Sequence, residues 1–168
     1  MKKGYRLKRS SVKANNNEFL WLSVLEPILR DIRFEEAADR KLIASLTPAQ
    51  RALAILYAFT DAVMCDGIDA YFFEGRGILP AEAPQAYELI GARGYAKRVR
   101  QICGLFPNGE PPRDEEEGLK TSPEPDSEMD RAFRKFDSDF MDFAISDGDP
   151  GGLAARYIQN HPEEFFLG

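Results

Sequence analysis

Cysteine and histidine are nearly missing from this sequence. It has two of the former, Cys65 and Cys103, and one of the latter, His161. The two thiols lie far apart and form no Cys-x-x-Cys pair, so no zinc site of His and Cys ligands is expected. A reducing cytoplasm is the compartment this usage fits. Long apolar runs are lacking as well. The best of them, Phe19–Leu25, is closed by Glu26 and falls well short of the ~20 residues a membrane span needs. Met1-Lys2-Lys3 is followed by no apolar stretch at the distance a signal peptide requires. Neither a membrane nor a cofactor is implied as a partner. Strand-like alternation is scarce and no internal repeat is visible. A phosphate loop is excluded too, because Gly75-Arg76-Gly77 lacks the flanking strand and the further glycine such a loop demands.

What is present is a core. The chain has 168 residues, 43% of them apolar, with 12 Phe, 6 Tyr and one Trp, enough for one domain with a buried interior. Its net charge of −6 is unevenly spread: +6 over residues 1–13, −2 over 14–106 and −10 over 107–168. Asymmetry of this kind bears on partners and solubility. Residues 1–16 read as a flexible basic arm carrying Lys2, Lys3, Arg6, Lys8, Arg9 and Lys13, and residues 17–168 as one helical domain.

Helical spacing runs through that domain. Trp21, Leu25, Ile28, Leu29 and Ile32 make a first stripe, interrupted at Pro27, where a kink or two short helices are expected. A short helix follows near 35–46. Thr47-Pro48-Ala49-Gln50 is the clearest start signal, a capping box with proline at the first helical position. The helix it opens, near 48–64, is apolar nearly all round and is expected to be central and buried. A short aromatic helix, Ile68–Phe73, comes next, then one from Pro84 to about Arg93 closing at Gly94, and one over about 95–106. Residues 107–126, dense in proline around Asp114, Glu115, Glu116 and Glu117, read as an acidic loop. Met129, Phe133, Phe136, Phe140 and Phe143 mark a core-facing stripe on the next helix, and Asp149-Pro150 starts the last. The fold expected is all-α: a single-domain bundle of about seven helices.

From Trp21 to Phe166 the chain resembles the DNA-mimic-protein-like family, a bacterial domain-of-unknown-function family. The resemblance rests on an ordered set of pieces: Trp21-Leu22-Ser23-Val24-Leu25-Glu26-Pro27, Leu46-Thr47-Pro48-Ala49-Gln50-Arg51, Leu89-Ile90-Gly91-Ala92 and Phe136-Asp137-Ser138-Asp139-Phe140. Between them lies the family's aromatic motif, of which Gly67, Tyr71, Phe72 and Gly77 are kept. Cys65, Asp66, Ile68, Ala70 and Glu74 replace its other positions, so the turn and the packed aromatics remain while the polar amides are gone. One branch of the family is a dimeric helical protein whose acidic surface imitates the phosphate charge of duplex DNA and occupies a DNA-binding protein. The resemblance therefore implies a protein partner, a basic DNA-binding protein, and a homodimer, with no direct contact to nucleic acid.

Carboxylates on a rigid helix face could stand in for phosphates, which give DNA a charge about every 1.7 Å of axis. The candidates are Asp130, Asp137, Asp139 and Asp142 on the Phe-striped helix, with Asp114, Glu115, Glu116 and Glu117 on the loop. Arg131, Arg134 and Lys135 interrupt this acid and are placed to pair locally, Asp130 with Arg134 for example. Asp66, Asp69 and Glu74 flank the aromatic helix and are the carboxylates on which acid–base chemistry or a hard metal could be built. No His or Lys stands in a recognisable relation to them, and calcium-loop spacing fails at both Asp137-Ser138-Asp139 and Asp147-Gly148-Asp149. The reading is a non-enzymatic protein-binding domain acting through an acidic surface. Its alternatives are an immunity-type inhibitor of a toxin or nuclease and a small metal-dependent hydrolase.

Overall fold

A hydroxyl and an amide begin the central helix. In the computed structural model, which describes residues 5–12, 17–32, 36–74 and 79–167, the Thr47 hydroxyl accepts from the Gln50 N–H at 3.2 Å. The Gln50 side-chain oxygen accepts from the Thr47 N–H at 3.4 Å. Both orphan donors are satisfied, and α3 (Pro48–Cys65) runs from them. Leu53, Ile55, Leu56 and Phe59 are fully buried along it, each contributing about 1.5–3 kcal/mol by removal from water. Tyr57 and Thr60 are half-buried and Met64 is exposed, so the helix is enclosed on most sides but open near its end.

Around α3 the described residues form nine further α-helices: α1 (Asn17–Asp31), α2 (Glu36–Ala44), α4 (Ile68–Phe73), α5 (Ala83–Leu89), α6 (Arg93–Cys103), α7 (Glu115–Thr121), α8 (Glu128–Asp147), α9 (Pro150–Asn160) and α10 (Pro162–Phe165). The fold is all-α, and no strand ladder occurs among the described residues. α1 lies against α9 and α3, while α5, α4 and α10 also pack on α3. α1 continues through Pro27 as one helix, not two short ones, and Leu25 and Ile28 on either side are both fully buried. Aromatic rings fill the centre. Phe59 meets Tyr71, Tyr87, Phe136 and Phe140, and Phe133 closes a second group with Phe72, Phe73 and Phe106. The stripe on α8 is buried at Phe133, Phe136, Phe140 and Phe143.

Three expectations are corrected. The 107–126 segment is not a loop throughout, since α7 forms within it. The Asp114 carboxylate accepts from the Glu117 N–H at 2.8 Å, and the Glu117 carboxylate accepts from the Arg113 N–H at 2.8 Å. That reciprocal capping outweighs the surrounding prolines. The helix expected to close at Gly94 stops at Leu89; Gly91 takes φ +82°, and α6 begins at Arg93 with Gly94 inside its first turn. A Cβ at Gly94 would fall inside the carboxylate of Asp147, which explains a glycine inside a helix.

The third correction concerns the basic arm. Its described part, 5–12, is fastened down. The Leu7 N–H donates to the Phe165 carbonyl and the Leu167 N–H to the Leu7 carbonyl, both at 2.9 Å. Tyr5 donates to Asp31 at 2.5 Å and Arg9 sits over the Phe166 ring. Tyr5, Leu7 and Val12 pack on the core between the charges. Lys2, Lys3 and Lys13 lie outside the described residues.

A candidate acidic interface around the fourth helix

The short helix α4 is held at its start by a carboxylate from far along the chain. Gly67, at φ +90°, turns the chain out of α3, a conformation open to glycine and costly for other residues. Directly after it, the Ile68 N–H donates to Asp137 Oδ1 at 2.9 Å. A Cβ on Gly67 would stand 2.9 Å from Asp137 Oδ2, so the glycine also makes room for that carboxylate. Behind the start, Tyr71 packs edge-on to Phe59 with ring centres 4.7 Å apart, and Phe72 packs on Phe106 at 4.9 Å. Gly67, Tyr71 and Phe72 thus set the position of α4. Gly77 lies outside the described residues.

Two acid-bearing helices flank α4. On one side is α7, whose Gly118 comes so near that an added Cβ would be 2.9 Å from the Phe72 carbonyl oxygen and 3.0 Å from the Phe73 Cα. On the other is α8, contributing Asp130 and Asp137. Asp69 on α4 faces this acid. Burial first, then the nearby charges of Asp130 and Glu74, push its carboxyl above the ordinary range. Asp137 is also raised, chiefly by burial and further by Asp69, with its bond to the Ile68 N–H working the other way. The structure therefore joins Asp69 and Glu74 to Asp130 and Asp137, residues more than fifty positions apart in sequence.

The remaining candidates divide between uses. Asp130 accepts from the Asp126 N–H at 2.7 Å and pairs with Arg134 at 2.8 Å. Arg134 also reaches Asp126 at 2.8 Å, and Arg131 donates to the Asp126 carbonyl, so two cations stand on this flank. Asp139 lies on the opposite flank, paired with Lys135 at 2.7 Å beside the α6–α8 groove. Glu116 pairs with Lys120 at 2.6 Å, and Asp114 and Glu117 are engaged in the α7 cap. Glu115 and Asp142 are exposed. Asp147 pairs with Arg98, and Asp149 caps α9 through the Gly152 N–H at 2.6 Å. Much of the acidity of residues 107–168 thus serves local ion pairs and helix starts, and at the starts it stabilises the positive ends of helix dipoles.

Beyond Asp137 the same flank of α8 turns apolar, with Met141 58% and Ile145 86% exposed. Asp66, Asp69 and Glu74 are all exposed and do not form a metal-holding group among the described residues. The set whose ligand atoms do lie close enough together to hold an ion is His161, Glu163 and Glu164, which the turn at Pro162 gathers.

Residues 44–161 match the family model of the DMP19-like protein. The chain belongs to the DMP19-like family. The match takes in α3 through α9 and so contains the whole of α4, α7 and α8. No curated protein and no solved structure matches the chain. No helix among the described residues of this DMP19-like protein is long and apolar enough to cross a membrane.

Proposed function

We infer that this DMP19-like protein is a non-enzymatic binding domain that offers the α4–α8 acidic flank to a basic, DNA-binding protein. The observation that carries this reading is the convergence of Asp69, Glu74, Asp130 and Asp137, where burial first and neighbouring charge second hold Asp69 and Asp137 above their ordinary range. Like charges so placed gain most when a cationic partner meets them. Asp137 and Asp130 are fixed by hydrogen bonds to the backbone, so the charge pattern is rigid, as competition with a regular phosphate lattice requires. Exposed Met141 and Ile145 extend the flank with an apolar anchor of the kind that carries binding energy beside a polar rim. A homodimer, the other assembly the family implies, would show in light scattering as twice the 18.9 kDa chain mass.

The test is capture of basic proteins from a bacterial lysate on immobilised protein, with release by salt and by duplex DNA. Charges separated by more than about 3 Å are screened at 1 M salt, so a phosphate-like competitor should lose its partners well below that concentration. Duplex DNA added at low salt should displace the same partners. The double variant Asp69→Asn/Glu74→Gln should weaken their capture at least tenfold. Recovery of one partner resistant to both salt and DNA would replace this reading with an immunity-type inhibitor. Capture unchanged in the double variant would remove the α4–α8 flank from the interface.

A further inference from the structure

A ligand set unrelated to the acidic flank lies near the end of the chain. α9 stops at Asn160, and His161 follows as its C-cap, its N–H donating to the Tyr157 carbonyl at 3.0 Å. Pro162 then turns the chain into α10, which brings Glu163 and Glu164 back toward the imidazole. One ligand atom from each of His161, Glu163 and Glu164 lies within 4.8 Å of the others, and His161 Nδ1 is 3.9 Å from Glu163 Oε1. Among the described residues, the only ion pair of either glutamate is the one Glu163 makes with His161. Two carboxylates are thus gathered on one imidazole, at the negative end of an eleven-residue helix.

The surroundings hold these groups in place. The Tyr157 hydroxyl donates to Glu164 Oε1 at 3.2 Å, and its ring lies 4.4 Å from the His161 ring. Burial first, then the charge of Glu164, its hydrogen bond and the charge of Glu163 raise the Tyr157 hydroxyl to about 12. The Glu164 carbonyl accepts from the Gln50 side chain at 3.4 Å, and Phe165 is fully buried. The backbone that carries the glutamates is therefore anchored to α3, and a tyrosine orients one carboxylate as outer-shell partners orient metal ligands.

We propose that His161, Glu163 and Glu164 form a binding site for a divalent first-row transition ion. At bond lengths of about 2.0–2.2 Å, tetrahedral ligands on one ion stand about 3.3–3.6 Å apart. Atoms gathered within 4.8 Å close to that spacing by side-chain rotation of exposed Glu163 and half-buried His161. An imidazole beside two carboxylates suits zinc and its neighbours, while calcium and magnesium take oxygen ligands. Water completes the coordination. The bound ion joins α9 to α10 and secures the turn that carries Phe165 and Phe166 to Leu7.

The experiment is calorimetric titration of the full chain with Zn²⁺, using Cys65→Ser as the parent because Cys65 is an exposed thiol. One ion per chain is expected to bind, with a Kd on the order of micromolar, and the melting temperature should rise by roughly 5–10 °C at a hundredfold excess over Kd. His161→Ala should abolish binding, Glu163→Gln should weaken it at least tenfold, and Tyr157→Phe about tenfold. Circular dichroism of Glu163→Gln, an exposed position, should match the parent. No heat of binding in the parent, or affinity within twofold of the parent in both His161→Ala and Glu163→Gln, would overturn the site.

Discussion

Gly67→Ala is the substitution that most directly examines how α4 is placed. Two costs meet at this residue. A side chain at φ +90° is strained by about 1–3 kcal/mol. The added carbon would also sit 2.9 Å from Asp137 Oδ2, so the carboxylate must withdraw from the Ile68 N–H, and hydrogen bonds to charged groups contribute about 1.5–3 kcal/mol. Because both act on one contact they do not simply add, and we expect a net loss of about 3 kcal/mol. For a chain of this length that lowers the melting temperature by about 6–12 °C. The assay is urea unfolding followed by circular dichroism in a cycle with Asp137→Ala. Asp137→Ala alone should cost about 2 kcal/mol. In its background the Gly67→Ala penalty should shrink by about 1–2 kcal/mol, because the colliding carboxylate is gone. A Gly67→Ala protein within about 0.5 kcal/mol of the parent, or a cycle with no coupling, would refute the argument that Asp137 fixes the start of α4.

Other expectations follow from the same contacts. Gly118→Ala should loosen α7 from α4, at a cost of about 1–3 kcal/mol, because the new carbon meets the Phe72 carbonyl and Phe73 Cα, backbone atoms that cannot rotate aside; protease cleavage between 113 and 122 reports it. Asp69→Asn should stabilise the protein at pH 7 by about 0.5 kcal/mol, since it removes first the burial cost of the charge and then its repulsion from Asp130 and Glu74. The sign with pH is fixed by linkage. A carboxyl raised on folding favours the folded state most below its unfolded value, and that contribution is lost as pH rises past about 3.9. Parent and Asp69→Asn unfolding curves should therefore converge near pH 3 and separate toward neutrality. Gln50→Ala should cost about 1–2 kcal/mol, measured by thermal melting, because it removes half of a capping box and the donor to the Glu164 carbonyl.

What the sequence showed and what it concealed differ by range. α3 was readable because Thr47, Pro48 and Gln50 are within one turn of one another, and α8 because its phenylalanines recur at steps of three and four. α7 was hidden under proline density, although Asp114 and Glu117 carried the capping spacing at the right interval. The alternation Tyr5-x-Leu7 was obscured by the arm's charge. The acid around α4 could not be read at all from spacing. Asp137 stands 69 positions from Ile68, and only the packing of α8 beside α4 reveals that one carboxylate serves as the cap of a remote helix. At α6 the remote carboxylate of Asp147 likewise occupies the space a Cβ on Gly94 would take, a reason for glycine that no neighbouring residue reveals.

The pairing of Leu7 with Phe166 has a mechanical consequence. A force applied at either extremity is carried across that bridge to the other before it reaches the aromatic interior, so the two margins peel as one unit. Amide exchange at Leu7 and Leu167 should accordingly share a single opening rate, and a short peptide joining the margins would leave room to cut new ends elsewhere, between α7 and α8.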